Sequence, residues 1–206
     1  MRTGRRRSFI EMKQGERQVS PSLTGIRPDH ISRYLLATNY IEKSHKVLDF
    51  GCGVGYGAYI LSPYAETIYA IDKEYEAIEY ALEHYRSRNI VYRVGNSIDV
   101  EEFYDVVTAF EVIEHVDEPF EVLKEIQKAI KPLGTILIST PDADTQHYSP
   151  EKFPFHKRHF TQKEFTELIE SCNLWPIARF TQKDKRNQKI EEGWGGLFNI
   201  AVCRKL

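Results

Sequence analysis

The sequence has no run of about 18 apolar residues that could span a bilayer, and its N-terminus lacks the apolar stretch that follows the basic region of a secretory signal. A cytoplasmic location with no membrane partner is the expectation. Cysteine is scarce: Cys52, Cys172 and Cys203 cannot all pair with one another, and none stands in a C-x-x-C spacing. That excludes a disulfide framework and argues against a zinc or redox pair, so the three are expected to be small buried hydrophobes. Net charge is also missing. With 28 basic and 30 acidic side chains the formal charge is −2, so no global field draws the chain to nucleic acid or to a lipid surface. The local exception is the cluster Arg2, Arg5, Arg6 and Arg7, read as part of a solvated, flexible basic tail over residues 1–26. There is no internal repeat and no low-complexity segment. In 206 residues there is room for one sizeable core, and residues 27–206 are expected to form a single domain.

What the chain does have is an alternation of short apolar runs with amphipathic stretches from Lys46 onward. This pattern predicts βαβ units, hence an α/β fold with a Rossmann-like, mostly parallel sheet and helices on both faces. Strands are expected at Val47–Phe50, Thr67–Ile71, Ile90–Val94, Tyr104–Phe110 and Thr135–Thr140. Ala77, Ile78, Ala81 and Leu82 recur at helical spacing over Glu74 to about Arg86, and Phe120, Leu123, Ile126 and Ile130 do so behind Pro119, in a helix that Pro132-Leu133-Gly134 is expected to close. Thr161 with Glu164 makes a capping box ahead of Phe165, Leu168 and Ile169. Trp175–Phe180 and Leu197–Cys203 are expected to close the sheet as an antiparallel edge. Ahead of the first strand, Ile31, Tyr34 and Leu35 with a cap at Asp29 suggest a helix leading into the core, placed to act as a lid.

The first strand runs directly into Gly51-x-Gly53-x-Gly55, where the missing Cβ atoms let the backbone turn tightly and approach a ligand before a helix expected to start near Tyr56, its positive end facing the pocket. Gly53, Gly55 and Ala58 also match the spacing of a dinucleotide-binding turn, so the glycines alone leave two readings open. Asp49 separates them. A carboxylate just before the turn would repel a pyrophosphate, whereas S-adenosylmethionine (SAM) carries an ammonium and a sulfonium that favour it. Asp72 ends the second strand about 20 residues on, where a carboxylate can accept hydrogen bonds from both ribose hydroxyls or cap the following helix.

Val47-Leu48-Asp49-Phe50-Gly51-Cys52-Gly53-Val54-Gly55-Tyr56-Gly57 resembles the first motif of class I SAM-dependent methyltransferases. Gly95-Asn96-Ser97-Ile98 is similar to the adenine-contacting loop of that family, Asp105–Val116 to its fourth-strand motif, and Lys131–Pro141 to the entry into its fifth strand. The resemblance covers roughly residues 27–180. It implies SAM as cofactor, with Asp49, Gly51, Cys52, Gly53, Asp72, Lys73, Asn96, Ser97, Ile98, Phe110 and Glu111 around it. Arg33-Tyr34 resembles the N-terminal helix of members acting on small polar or sugar substrates, where it can meet the SAM carboxylate or simply pack. Asn96 replaces the aspartate of many relatives, and its amide oxygen can still accept from the adenine amine.

Glu111, Glu114 and His115 follow the fourth strand, at the edge where a parallel sheet forms its ligand crevice. His115 can take a hydroxyl proton as the methyl group arrives, with Glu111 and Glu114 orienting it or the substrate. His156 and His159 resemble a segment that closes over the acceptor pocket and are further catalytic candidates. The same Glu-x-x-Glu-His pattern resembles a metal site in small-RNA 2′-O-methyltransferases and in some ubiquinone-pathway O-methyltransferases. No metal is expected here, because a fourth ligand must be recruited from a loop of unknown position. The expected function is methyl transfer from SAM to an oxygen of a small polar molecule, sugar-like or phenolic. A metal-assisted RNA ribose methyltransferase and a SAM-binding regulatory protein without turnover remain open; the oligomeric state is not legible.

Overall fold

The computed structural model describes residues 17–98 and 103–205, so the arginines at 2, 5, 6 and 7 lie outside the described residues. From Arg17 onward the chain already packs on the domain, ahead of the expected boundary at residue 27. Ile26 is buried in the core, a short 3-10 turn spans Leu23–Gly25, and the Tyr85 hydroxyl donates to the Ser20 carbonyl at 2.7 Å.

Helix α1 (Pro28–Thr38) leads into β1 (Lys46–Phe50), α2 (Tyr56–Leu61), β2 (Thr67–Asp72), α3 (Tyr75–His84) and β3 (Ile90–Val94). Then come β4 (Tyr104–Phe110), α4 (Pro119–Ala129), β5 (Ile130–Pro141), α5 (Gln162–Ser171), β6 (Leu174–Gln182), β7 (Glu191–Glu192) and β8 (Phe198–Lys205). The eight strands form one sheet in the order β3-β2-β1-β4-β5-β8-β6-β7. Strands β1 to β5 pair in parallel, while β8 runs antiparallel between β5 and β6, and β7 pairs antiparallel on the outside of β6. The expected α/β fold is therefore present, with its antiparallel region extended by β7, whose two acidic residues carry no strand signal.

Alternation along the strands explains the two-sided core. Val47 packs into a cluster with Ala58, Leu61, Ala77 and Ile78 from α2 and α3, while its neighbour Leu48 packs with Leu123, Ile126, Phe165 and Ile169 from α4 and α5. Chain order reverses between β1 and β4, and that reversal opens a crevice at their C-terminal ends.

Two local expectations need correction. Pro132-Leu133-Gly134 does not close α4 ahead of a strand; the strand begins at Ile130 and runs through these residues. Leu133 sits at φ 62°, and the β4–β5 register shifts between Tyr104 and Val106, an irregularity that accommodates a proline without an N–H in an interior strand. Asp29 is not a cap either. Arg27 precedes α1, and Asp29 lies within its first turn, fully buried, accepting from Arg27 Nε at 2.9 Å and Nη2 at 2.6 Å.

Candidate active site

The glycine turn is held by its neighbours on the sheet. The N–H groups of Gly51 and Cys52 both donate to the Ile71 carbonyl, at 2.8 and 2.9 Å, so the turn is pinned to the end of β2. Gly51 has φ 74°, and a Cβ there would stand 2.5 Å from Val112 Cγ2; only glycine lets the turn pass the residues after β4. Asp72 completes the clamp. Its Oδ2 accepts from Gly53 N–H at 2.9 Å, and its Oδ1 accepts from Glu74 N–H at 3.0 Å and from Arg17 Nη2 at 2.9 Å. Asp72 is not the cap of α3, because Glu74 holds that position; its carboxylate ties the Glu74 N–H to the glycine turn from the cavity wall.

A cavity of about 1190 Å³ extends from this turn along the C-terminal ends of β1 and β4. Of the expected cofactor residues, Arg33, Tyr34, Gly51, Cys52, Gly53, Asp72, Lys73, Asn96, Phe110 and Glu111 line it. Asp49, Ser97 and Ile98 do not. Ile98 is a core residue, and Ser97 points to exposed surface. Asp49 is fully buried beneath the turn, where its Oδ1 accepts from Thr108 Oγ1 at 2.8 Å and from the Tyr34 hydroxyl at 3.1 Å. Burial pushes its carboxyl up to about 7, against the two hydroxyl donors that favour the charged form. All three cysteines are buried, as expected, and burial raises the Cys52 thiol well above its ordinary range.

Arg33 is 1% exposed. Its Nη1 donates to Gln182 Oε1 at 2.7 Å, its Nη2 lies 3.7 Å from Asp29 Oδ2 without a hydrogen bond, and its guanidinium stacks 4.8 Å from the Phe198 ring centroid. A buried guanidinium with an unused donor at the cavity wall suits a ligand carboxylate. Beside it, His30 Nδ1 meets the Tyr56 hydroxyl at 2.8 Å. Burial and then the charges of Arg33, Arg27 and Lys185 hold the His30 imidazole well below its ordinary range, so it is neutral.

The other end of the cavity holds the Glu111–His115 segment. Glu111 stands at φ 55°, a strained backbone for a non-glycine residue, and its Oε1 accepts from Ser139 Oγ at 2.7 Å. After it a 3-10 turn, Ile113–His115, buries Glu114 and leaves His115 at the cavity wall. The loop carrying Phe153 to Lys157 closes the wall from the opposite side. His115 Nδ1 meets the Phe155 carbonyl at 2.9 Å, and the rings of His115 and His156 lie edge to face at 4.6 Å. Each of Glu114, His115 and His156 brings one ligand atom within 4.8 Å of the others. His156 is thus the loop residue that joins Glu114 and His115, while Glu111 stands outside this group. His159 lies behind His156 and does not reach the cavity.

Several lining residues carry no sequence signal of their own. Arg17, Arg27 with His30, Gln146 and Phe198 come from four separate segments, and only the fold brings them together. Arg27 and His30 flank the Arg33-Tyr34 helix start, so the helix signal reached their neighbourhood without naming them.

The family model described as a methyltransferase domain matches residues 24–190, the span that carries the turn, most of the cavity lining and its closing loop. The chain belongs to the SAM-dependent methyltransferase family. SAM is the cofactor of that family, and the glycine turn, Asp72 and the buried Arg33 fit its ribose and amino-acid portions by the chemistry of their donors and acceptors. A probable SAM-dependent methyltransferase of Mycolicibacterium smegmatis is 34% identical over 62% of this chain and 51% of its own length. A ubiquinone biosynthesis O-methyltransferase of Rickettsia bellii is 27% identical over 92% of this chain and 80% of its own. The chain spans about half the length of the first of these curated relatives. The N-methyltransferase NodS of Bradyrhizobium japonicum, solved with S-adenosyl-L-homocysteine (SAH), superposes with a TM-score of 0.64 over 86% of this chain and 85% of its own, at 17% identity. That likeness is one of fold. Among the described residues no helix is long and apolar enough to cross a membrane.

Proposed function

We propose that this methyltransferase moves the SAM methyl group to a hydroxyl oxygen of a small polar acceptor, sugar-like or phenolic, with His115 as the base. The observation that carries the reading is the convergence of Glu114, His115 and His156 on the cavity wall beyond the glycine turn. SAM is already a reactive donor, so the protein's task is to hold the oxygen in line with the sulfonium methyl and remove its proton. Arg33 would hold the cofactor carboxylate and Asp72 its ribose, and the imidazoles stand at the other end of the same cavity. His115 Nδ1 can only donate to the Phe155 carbonyl, so in the neutral ring Nε2 is the nitrogen that takes the hydroxyl proton. A small acceptor suits a cavity whose wall is shared by the Phe153–Lys157 loop, and the O-methyltransferase named among the relatives points the same way.

The three-residue convergence also favours a second reading, in which Glu114, His115 and His156 hold a divalent cation that binds the acceptor oxygen. One carboxylate and two imidazoles suit several such ions. The two readings part on chelation. Replacing His115 with alanine should slow the chemical step by about 10²–10⁴ with SAM affinity nearly unchanged. Turnover should survive EDTA. Loss of activity on chelation with recovery on adding magnesium, manganese or zinc would replace the base by a metal; loss of SAM affinity in step with the rate would move His115 to the cofactor site.

A further inference from the structure

His159 is buried and does not line the cavity, yet it joins the cavity wall to the backbone through two successive hydrogen bonds. Its Nδ1 meets the Gln146 carbonyl, and its Nε2 meets His156 Nδ1 at 2.7 Å. The direction of these bonds follows from their end. A carbonyl oxygen only accepts, so His159 Nδ1 must carry the proton and, in the neutral ring, its Nε2 must accept. His156 Nδ1 is then the donor, and the lone pair of His156 is on Nε2. His115 reaches the same state by a separate route, since its Nδ1 donates directly to the Phe155 carbonyl. Two backbone carbonyls, on Gln146 and Phe155, thus fix two neighbouring imidazoles in the same tautomer. Free histidine prefers the opposite one, with the proton on Nε2, so the state is imposed by the surroundings.

We infer that His159 is a positioning residue which, anchored on the Gln146 carbonyl, locks His156 with its proton on Nδ1 and so makes Nε2 of His156 an acceptor in the catalytic cluster. Phe153 and Tyr148 steady the relay. Phe153 stacks on His156 with centroids 5.3 Å apart and meets the His159 ring edge to face at 4.4 Å, while the Tyr148 hydroxyl donates to the His156 carbonyl at 3.0 Å. An imidazole presented in this way serves a substrate proton or a cation equally, as the outer partners of ligating histidines commonly do. The inference rests on the reading of the Glu114, His115 and His156 cluster as the reacting end of the site.

Long-range ¹H–¹⁵N spectra of the full chain, labelled at histidine and saturated with SAH, read the tautomer of each ring directly. In the wild type His115, His156 and His159 should all show the proton on Nδ1. His159→Phe keeps a ring of similar size but removes the acceptor, and His156 should move toward the Nε2-protonated form while His115 is unchanged; the His115 signals report that the fold is intact. His159→Gln offers an amide oxygen in place of Nε2 and should restore the wild-type state of His156, and it also serves if the Phe variant fails to fold. An Nε2-protonated His156 in the wild type, or a His156 indifferent to both replacements, overturns the relay. A separate arm follows methyl transfer from SAM to a panel of phenols and sugars. If the tautomer shifts as expected in His159→Phe while the rate stays at the wild-type value, the relay stands and the catalytic reading of the cluster falls.

Discussion

Among single residues, the two motif carboxylates divide the work that the sequence had placed on one surface. Asp72 faces the cavity and Asp49 lies beneath it. Asp72→Ala should weaken SAM binding by about 1–3 kcal/mol, the usual cost of losing a charged hydrogen-bond partner. Calorimetry on a folded variant checks this, and an unchanged affinity would remove the ribose assignment. Asp49 should appear in stability instead. An unfolded aspartate titrates near 3.8, whereas burial holds this one at about 7 in the folded chain. Between these values the folded state keeps a proton that the unfolded state has lost, so this contribution is full at low pH and is lost as pH rises through about 7. Asp49→Asn, which stays neutral, should flatten the fall in urea midpoint across that window; an unaltered slope would mean that Asp49 is already ionised. The identity of both residues was legible in the sequence, because each stands at a strand end beside a turn. Which side of the turn each side chain occupies was not, since Asp49 depends on Tyr34 and Thr108, 15 residues before it and 59 after it.

At the scale of elements, the glycine turn was read correctly as the start of a helix near Tyr56, but the sequence gives no measure of how tightly each glycine is held. Gly55 has φ 89°, and a Cβ there would lie 2.6 Å from Ala81 Cβ and 2.7 Å from the Tyr92 hydroxyl. Gly53, at φ 55°, has open space around the same position. Without ligand, Gly53→Ala should cost about 1–2 kcal/mol for the left-handed backbone alone, and Gly55→Ala distinctly more because the turn must also part from α3. Thermal unfolding of the two variants decides it; equal losses would show that the contact between the turn and α3 contributes little. The capping box of α5 illustrates the opposite case. Thr161 Oγ1 accepts from Glu164 N–H at 3.2 Å and Glu164 Oε2 accepts from Thr161 N–H at 2.8 Å, as four adjacent residues foretold. Signals contained within one turn were readable. Asp29 shows the limit: it has the residue type and place of a cap, yet a buried pairing with Arg27, and with Arg33 at 3.7 Å, claims it.

For the whole molecule, the parallel half of the sheet was legible because buried strands and amphipathic helices alternate with distinct periods. The position of β8 between β5 and β6 was not, since strand order at an antiparallel edge is set by pairing across distant segments. The same holds for the site. Glu114 and His115 adjoin one another in the chain, whereas His156 joins them only because the loop after β5 folds back toward the end of β4, with Lys157 N–H donating to the Glu114 carbonyl at 2.7 Å. The proposed chemistry depends on that return of the chain, and transfer of a ¹³C-methyl group from labelled SAM to a mixed panel of phenols, sugars and amines, followed by carbon NMR, tests it most directly. The label should emerge as a methyl ether, and its appearance should be suppressed when His115 and His156 are both replaced by alanine in a protein that still binds SAM; label carried only on nitrogen, or an ether formed at the wild-type rate by the double variant, would contradict it.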